Sequence, residues 1–141
     1  MSTFTTTRHF AAPPATLFAA FVEPERLARW WGPKGFSNGF HSFDFQPGGE
    51  WRFDMIGPDG TVYPNEARFD TIDPNRCVVI QHTCQPLFTL TITLDATDTG
   101  TLLHWQQVFA DAVVAKAVAH IVEPANEENL DRLEVEVGLA E

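Results

Sequence analysis

The residue pattern predicts an α+β fold: six or seven antiparallel strands curl around a C-terminal helix, with two short helices after the first strand. Three observations predict it. Apolar and polar residues alternate with period two from Phe40 to Phe109, broken only by turn-forming clusters. Before that region Pro14 and Pro24 each open a short segment with helical spacing. Beyond Asp111 the period returns to that of a helix.

Each element follows from its residues. Thr3 to Phe10 alternates loosely and is rich in Thr and Phe, which suits a first strand. Pro13-Pro14 supplies a helix start, and Leu17, Phe18 and Phe21 share one face up to about Val22. The second helix, Glu25 to Trp31, carries Glu25 early and Arg26 and Arg29 late, as the helix dipole favours, and Gly32-Pro33 stops it. Phe40 to Phe45 reads as strand. Trp51, Phe53 and Met55 share a face opposite Arg52 and Asp54, and Gly57-Pro58-Asp59-Gly60 is hairpin-turn chemistry. Tyr63, Asn65, Ala67, Phe69 and Thr71 are then in phase along one long strand, which Asp73-Pro74-Asn75 ends. Cys77 to Gln81 is a short apolar strand. Phe88, Leu90, Ile92 and Leu94 alternate with three threonines in the clearest strand of the chain, and Asp98-Thr99-Gly100 turns into Thr101 to Phe109. Ala112 to Val122 is helical, Pro124 is expected to interrupt it, and a last helix runs from about Asn126 to Leu139. Leu130, Leu133 and Val137 form its apolar stripe. Glu123, Glu127, Glu128, Asp131, Glu134 and Glu136 are expected on its solvated side.

Composition bounds the function. A chain of 141 residues fits one domain that folds without disulfides. Nine Lys and Arg against nineteen Asp and Glu give a net charge of −10, so neither nucleic acid nor an anionic membrane is an expected partner. Twelve Phe and four Trp against a single Tyr favour a thick apolar core or an apolar cavity. Met1 to Phe10 has no secretory pattern, and no apolar run approaches the roughly 20 residues that span a bilayer. Cys77 and Cys84 match no zinc spacing and read as reduced thiols, so a cytoplasmic location is expected.

The motifs that could carry chemistry are weak. Gly35-Phe36-Ser37-Asn38-Gly39 matches the nucleophile elbow of serine hydrolases in letters only, because Phe40 to Phe45 reads as strand where that motif needs a helix. His9, His41, His82, His104 and His120 show no metal-ligand spacing, so neither metal nor cofactor is expected. No catalytic residue is assigned. A space between sheet and helix is the natural ligand site. Its walls are expected from Trp30, Trp31, Phe53, Tyr63, Phe69, His82, Trp105, Gln107, Leu130 and Leu133, with Gln107 as a polar group among aromatics that orients a ligand. The tryptophan pair has two readings, a staple where helix meets sheet and a cavity wall, and both can hold.

Several of these stretches resemble a known family. Phe10-Ala11-Ala12-Pro13, Glu23-Pro24-Glu25-Arg26-Leu27, Trp30-Trp31-Gly32-Pro33, Pro47-Gly48-Gly49, Gly57-Pro58-Asp59-Gly60, Asp73-Pro74 and Gly100-Thr101 occur in the order seen in the activator-of-heat-shock-ATPase homologue family. Asn126 to Leu133 resembles the terminal helix of one bacterial branch. The family sits in the helix-grip superfamily with lipid-transfer domains and polyketide cyclases. The resemblance implies a seven-stranded antiparallel sheet gripping a long C-terminal helix, with two small helices between the first two strands, and binding of a small hydrophobic or aromatic molecule. A cyclase-like enzyme using His82, His104 or Tyr63, and a co-chaperone-like regulator of a chaperone ATPase, are the alternatives. The family's co-chaperones engage their chaperone through an added N-terminal domain, and here the first strand begins almost at Met1, so a chaperone partner is doubtful. A homodimer is compatible with the sequence but argued by no residue.

Overall fold

The computed structural model describes residues 2–139. Its elements are β1 (Thr3–Phe10), α1 (Pro14–Val22), α2 (Pro24–Trp30), β2 (Ser37–Phe43), β3 (Glu50–Ile56), β4 (Val62–Asp73), β5 (Cys77–His82), β6 (Phe88–Thr97), β7 (Gly100–Phe109) and α3 (Ala112–Leu139). The seven strands form one antiparallel sheet in the order β1-β7-β6-β5-β4-β3-β2. Strands β1 and β2 are consecutive in the chain yet lie at opposite edges, and α1 and α2 carry the chain between them. Leu130, Leu133 and Val137 of α3 pack with Trp51, Phe69 and Trp105 of the sheet in one core. This is the helix-grip fold.

Turn chemistry sets the register. Asn75 takes a left-handed conformation between β4 and β5, and Arg76 N–H donates to the Asp73 carbonyl at 2.9 Å. At Pro47-Gly48-Gly49 the chain folds back on β4, with Gly48 N–H donating to the Phe69 carbonyl and Phe69 N–H to that of Gly49. Gly49 has no alternative there, because a Cβ would run into the Asp44 carbonyl oxygen.

Two bulges move side chains between faces. An extra residue at His41 lets Phe40 and Phe43, three apart, both pack on Trp51, at 5.5 and 6.1 Å between ring centroids. An extra residue at Asp70 reverses the phase expected for the end of β4: Thr71 is exposed, and Ile72 packs against the core in its place.

Four other expectations are corrected. First, β2 begins at Ser37 and not at Phe40; the Gly35–Gly39 stretch runs into this strand, in keeping with its reading as a chance match to the nucleophile elbow. Second, α3 is continuous through Pro124. Proline there removes one helical hydrogen bond and costs about 3 kcal/mol. Each buried side chain among Leu130, Leu133 and Val137 returns about 1.5–3 kcal/mol, enough to hold the helix across it. Third, Glu136 is not solvated: it is only 3% exposed, and Arg26 and Arg29 of α2 grip its carboxylate at 2.8–3.0 Å. These bonds, led by that from Arg29, hold its pKa below the usual carboxylate range. Fourth, Tyr63 is 48% exposed, because its part of β4 extends past the core and the ring packs on Phe36.

Candidate functional site

The link from α2 to β2 is the first part of the site. Trp31 N–H donates to the Leu27 carbonyl and closes α2, and Gly32 follows with φ +93°. A Cβ at Gly32 would meet only the movable end of Met55, so it is the left-handed backbone conformation that calls for glycine. The turn leaves a cluster of carbonyl oxygens pointing at α3. Arg132 answers them: its guanidinium lies 2.6–3.0 Å from the carbonyls of Arg29, Trp31, Gly32, Pro33 and Phe36. The Asn38 side chain holds the turn from the other side, donating to the carbonyls of Ala28 and Trp31. Trp31 is thus fixed between helix and sheet by backbone bonds on both flanks.

The two indoles then divide their roles. Trp30 is fully buried, donates its Nε1–H to the Ala20 carbonyl at 2.9 Å and sits edge-on to Phe21 at 5.0 Å. It is the staple. Trp31 lies 5.1 Å from Trp51 and 6.0 Å from Trp105 and walls a cavity of about 180 Å³ between the sheet and α3.

Five strands and α3 complete that cavity: Trp51, Phe53 and Met55 of β3, Asn65 and Ala67 of β4, Ile80 and His82 of β5, Phe88 and Leu90 of β6, Trp105 and Gln107 of β7, and Ala125, Asn126 and Asn129 of α3. No Asp, Glu, Lys or Arg is among the lining residues. The polar groups form two sets. Asn126 donates to Gln107 Oε1 at 3.1 Å, tying α3 to β7. Opposite, His82 stacks on Phe88 at 4.4 Å, with Nδ1 2.7 Å from the Pro86 carbonyl and Nε2 2.7 Å from Asn65 Oδ1. Burial pushes its pKa below the ordinary histidine value, against the opposing pull of its backbone hydrogen bonds. A neutral ring carries a single N–H, which can serve either the Pro86 carbonyl or Asn65 Oδ1.

Of the ten expected wall residues, Trp31, Phe53, His82, Trp105 and Gln107 line this cavity. Trp30, Phe69, Leu130 and Leu133 are buried in the packed core beside it, and Tyr63 stands exposed beyond the core. Phe69 is covered by Trp51, Phe43 and Phe45 at 5.0–5.7 Å, which leaves it no free face toward the space. Sequence reasoning missed Trp51, Asn126 and Asn129 as lining residues. Their signal was present: Asn126 and Asn129 continue the Leu130–Leu133 stripe at helical spacing, and Trp51 is in phase with Phe53.

A second, larger hollow of about 640 Å³ lies outside, between the edge strand β1 and α3. Thr3, Thr5, Thr6, Lys116, Glu123 and Glu127 give it a polar lining, and it shares Asn126 with the inner cavity. Further along β1, Arg8 makes salt bridges to Glu127, Asp131 and Glu134 of α3 at 2.6–3.1 Å.

The remaining histidines stand apart. His41 pairs with Asp54 and His104 with Asp95 on exposed strand positions, and His9 bonds Thr97 and Thr99. The Cys84 thiol lies 3.6 Å from His82 Nε2 and 3.8 Å from the Glu66 carbonyl, and Glu66 N–H donates to its sulfur at 3.3 Å.

A sheet that grips a C-terminal helix around an aromatic-walled space defines a protein of the helix-grip class. Within that class the chain belongs to the family described as activator of Hsp90 ATPase homolog 1-like protein, whose model matches residues 11–138. Among solved structures, a Nitrosomonas europaea protein superposes with a TM-score of 0.89 at 21% identity, over 99% of this chain and 96% of that one. A Rhodobacter sphaeroides protein gives 0.87 at 26% identity, over 99% and 95%. An AHSA1-like protein from Aeromonas hydrophila gives 0.78 at 16% identity, over 98% and 93%. No curated protein matches the chain.

Proposed function

We propose that this protein binds a small, largely apolar molecule in the cavity between the sheet and α3. The observation that carries the reading is the space itself, about 180 Å³ beside a core that is closely packed around Trp51. Aromatic walls and the lack of a charged lining group suit an apolar occupant.

A cyclase-like enzyme would need an acid or base facing the occupant. His82 is the one imidazole among the lining residues, and its two ring nitrogens face the Pro86 carbonyl and Asn65 Oδ1 and not the open space, which favours a wall over an acid or base. His104 and Tyr63 are not among the lining residues. A cytoplasmic site of action accords with the free thiols of Cys77 and Cys84.

The test is a titration of tryptophan emission with an apolar probe, paired with mass spectrometry of small molecules released on denaturing natively purified protein. Saturable quenching, or a stoichiometric released molecule, supports binding. Emission that ignores every probe, in a protein that releases nothing, overturns it.

A further inference from the structure

The sheet protects its two edges unequally. At β2 the bulge at His41 breaks the ladder, α2 packs against the strand, and the Asn38 side chain donates to the carbonyls of Ala28 and Trp31. Bulges and covering elements are the usual guards of an open edge. At β1 the register runs unbroken from Thr3 opposite Val108 to Phe10 opposite Thr101, with no proline and no bulge. Among the described residues no strand pairs on its outer side. Phe109 N–H donates to the Ser2 carbonyl at 2.8 Å, and bonding residues alternate along an antiparallel strand. Phe4, Thr6 and Arg8 therefore bond β7, while Thr3, Thr5 and Thr7 direct N–H and C=O outward. The outer hollow of about 640 Å³ lies along this edge. Four consecutive residues, Thr3 to Thr6, line it, so the edge of the strand and not one face forms that wall.

We propose that β1 and the facing side of α3 bind an extended, basic segment of another protein, which joins the sheet as an added strand in the outer hollow. The outward N–H and C=O groups of Thr3, Thr5 and Thr7 supply the ladder. Charge selects the partner. Glu123 and Glu127 stand on the α3 wall, and Lys116, about two helical turns before Glu123, is the one cation among the lining residues. Further along, the single cation Arg8 is shared by Glu127, Asp131 and Glu134, so this side of α3 keeps an excess of negative charge. Pleating sets the spacing. Phe4 packs on Phe109 and Arg8 reaches α3, so residues of the added strand opposite Phe4 and Thr6 turn their side chains toward α3 as well. Lys or Arg at alternate positions then meets Glu123 and Glu127. A second copy of this chain suits the edge less well, because β1 against β1 would bring two acidic α3 walls together.

The experiment titrates the full chain, followed by amide NMR, with an eight-residue peptide that alternates Lys and Thr. A second peptide of the same composition carries its lysines in adjacent pairs and so splits them between the two faces. The alternating peptide is expected to give saturable shifts along Thr3 to Thr7 and Glu123 to Glu127, to weaken as salt is raised, and to bind more tightly than its isomer. Thr5→Pro removes an outward N–H at an edge position that tolerates proline, and should weaken binding about tenfold, as one or two net hydrogen bonds provide. Glu123→Lys reverses a charge on the exposed helix wall without touching the strand, and should weaken binding comparably even if the proline variant fails to fold. No saturable shift, or shifts centred on β2 or another surface, overturns the proposal. Equal affinity for the two peptides overturns the strand geometry, and unchanged affinity in both variants overturns the site. A dimer of the chain whose contact shifts lie on β1 would give the edge to a second copy and overturn the peptide partner.

Discussion

Trp30 and Trp31 are neighbours in the chain and belong to two different interiors. At the closed end Trp30 touches Phe21, spends its N–H on the Ala20 carbonyl and is fully buried. In the packed core Phe69 stacks on Trp51, and Phe43 and Phe45 meet Phe69 edge to face. At the cavity end Trp31 and Trp105 line the space between the sheet and α3, together with the polar side chains of Gln107 and Asn126. Both ends use the same residue types. The difference shows that an aromatic interior becomes a site when one segment, here the Trp31–Phe36 turn pinned by Arg132, holds a wall away from its neighbours.

Substitutions should separate the two ends. Trp30→Ala removes a side chain packed on all sides and is expected to cost about 4 kcal/mol in urea unfolding. Trp31→Ala should cost less, on the order of 2 kcal/mol, because one face already borders a void. Equal losses would erase the distinction.

The next effect lies in the clamp that positions α3. Glu136→Ala leaves Arg26 and Arg29 facing each other without their carboxylate, at an expected cost of about 3 kcal/mol. The carboxylate's folded pKa is depressed, so its contribution is fully present above the ordinary Glu range. It is lost as pH falls from that range through the lower folded value. Wild type should therefore lose stability more steeply with acid than Glu136→Gln, which chemical denaturation across that range would show.

Filling tests the comparison from the other side. Ala20→Leu inserts carbon into the packed end and is expected to destabilise by about 2 kcal/mol. Ala67→Leu places the same groups in the cavity and should stabilise by up to about 1 kcal/mol while abolishing probe binding. A loss of stability at both alanines would mean that the cavity is already full.

The smallest effect belongs to His82. Burial lowers its folded pKa, so below about 6.5 the unfolded chain takes up a proton that the folded one refuses. Stability should decline as pH falls through that value, and level off once the folded ring also protonates. His82→Gln should flatten this part of the profile in thermal melts.

The contrast between the ends also marks what was legible in the sequence. Period-two alternation located the inward faces of β3, β6 and β7, and with them Phe53, Trp105 and Gln107. Proline and glycine marked α1, α2 and the turns. The bulges at His41 and Asp70 were not legible, because one extra residue flips the facing of the rest of its strand without changing composition. Pro124 misled for a related reason: local helix rules speak of one hydrogen bond, whereas packing of Leu130 and Leu133 decides whether the helix continues. Glu136 looked like one more acid on a solvated face, since its partners are more than 100 residues away. Tyr63 kept its predicted phase and lost its role, because facing the inner side of a sheet confers burial only where something covers it.

The most direct measurement is a methyl NMR titration of the full chain with naphthalene. The account predicts saturable shifts confined to cavity-lining methyls, among them Met55, Ala67, Ile80 and Leu90, with Leu17 and Ala20 at the closed end unmoved. Shifts centred on Thr5, Thr6 and Ala119 of the outer hollow, or no saturable shift in any methyl, would contradict it.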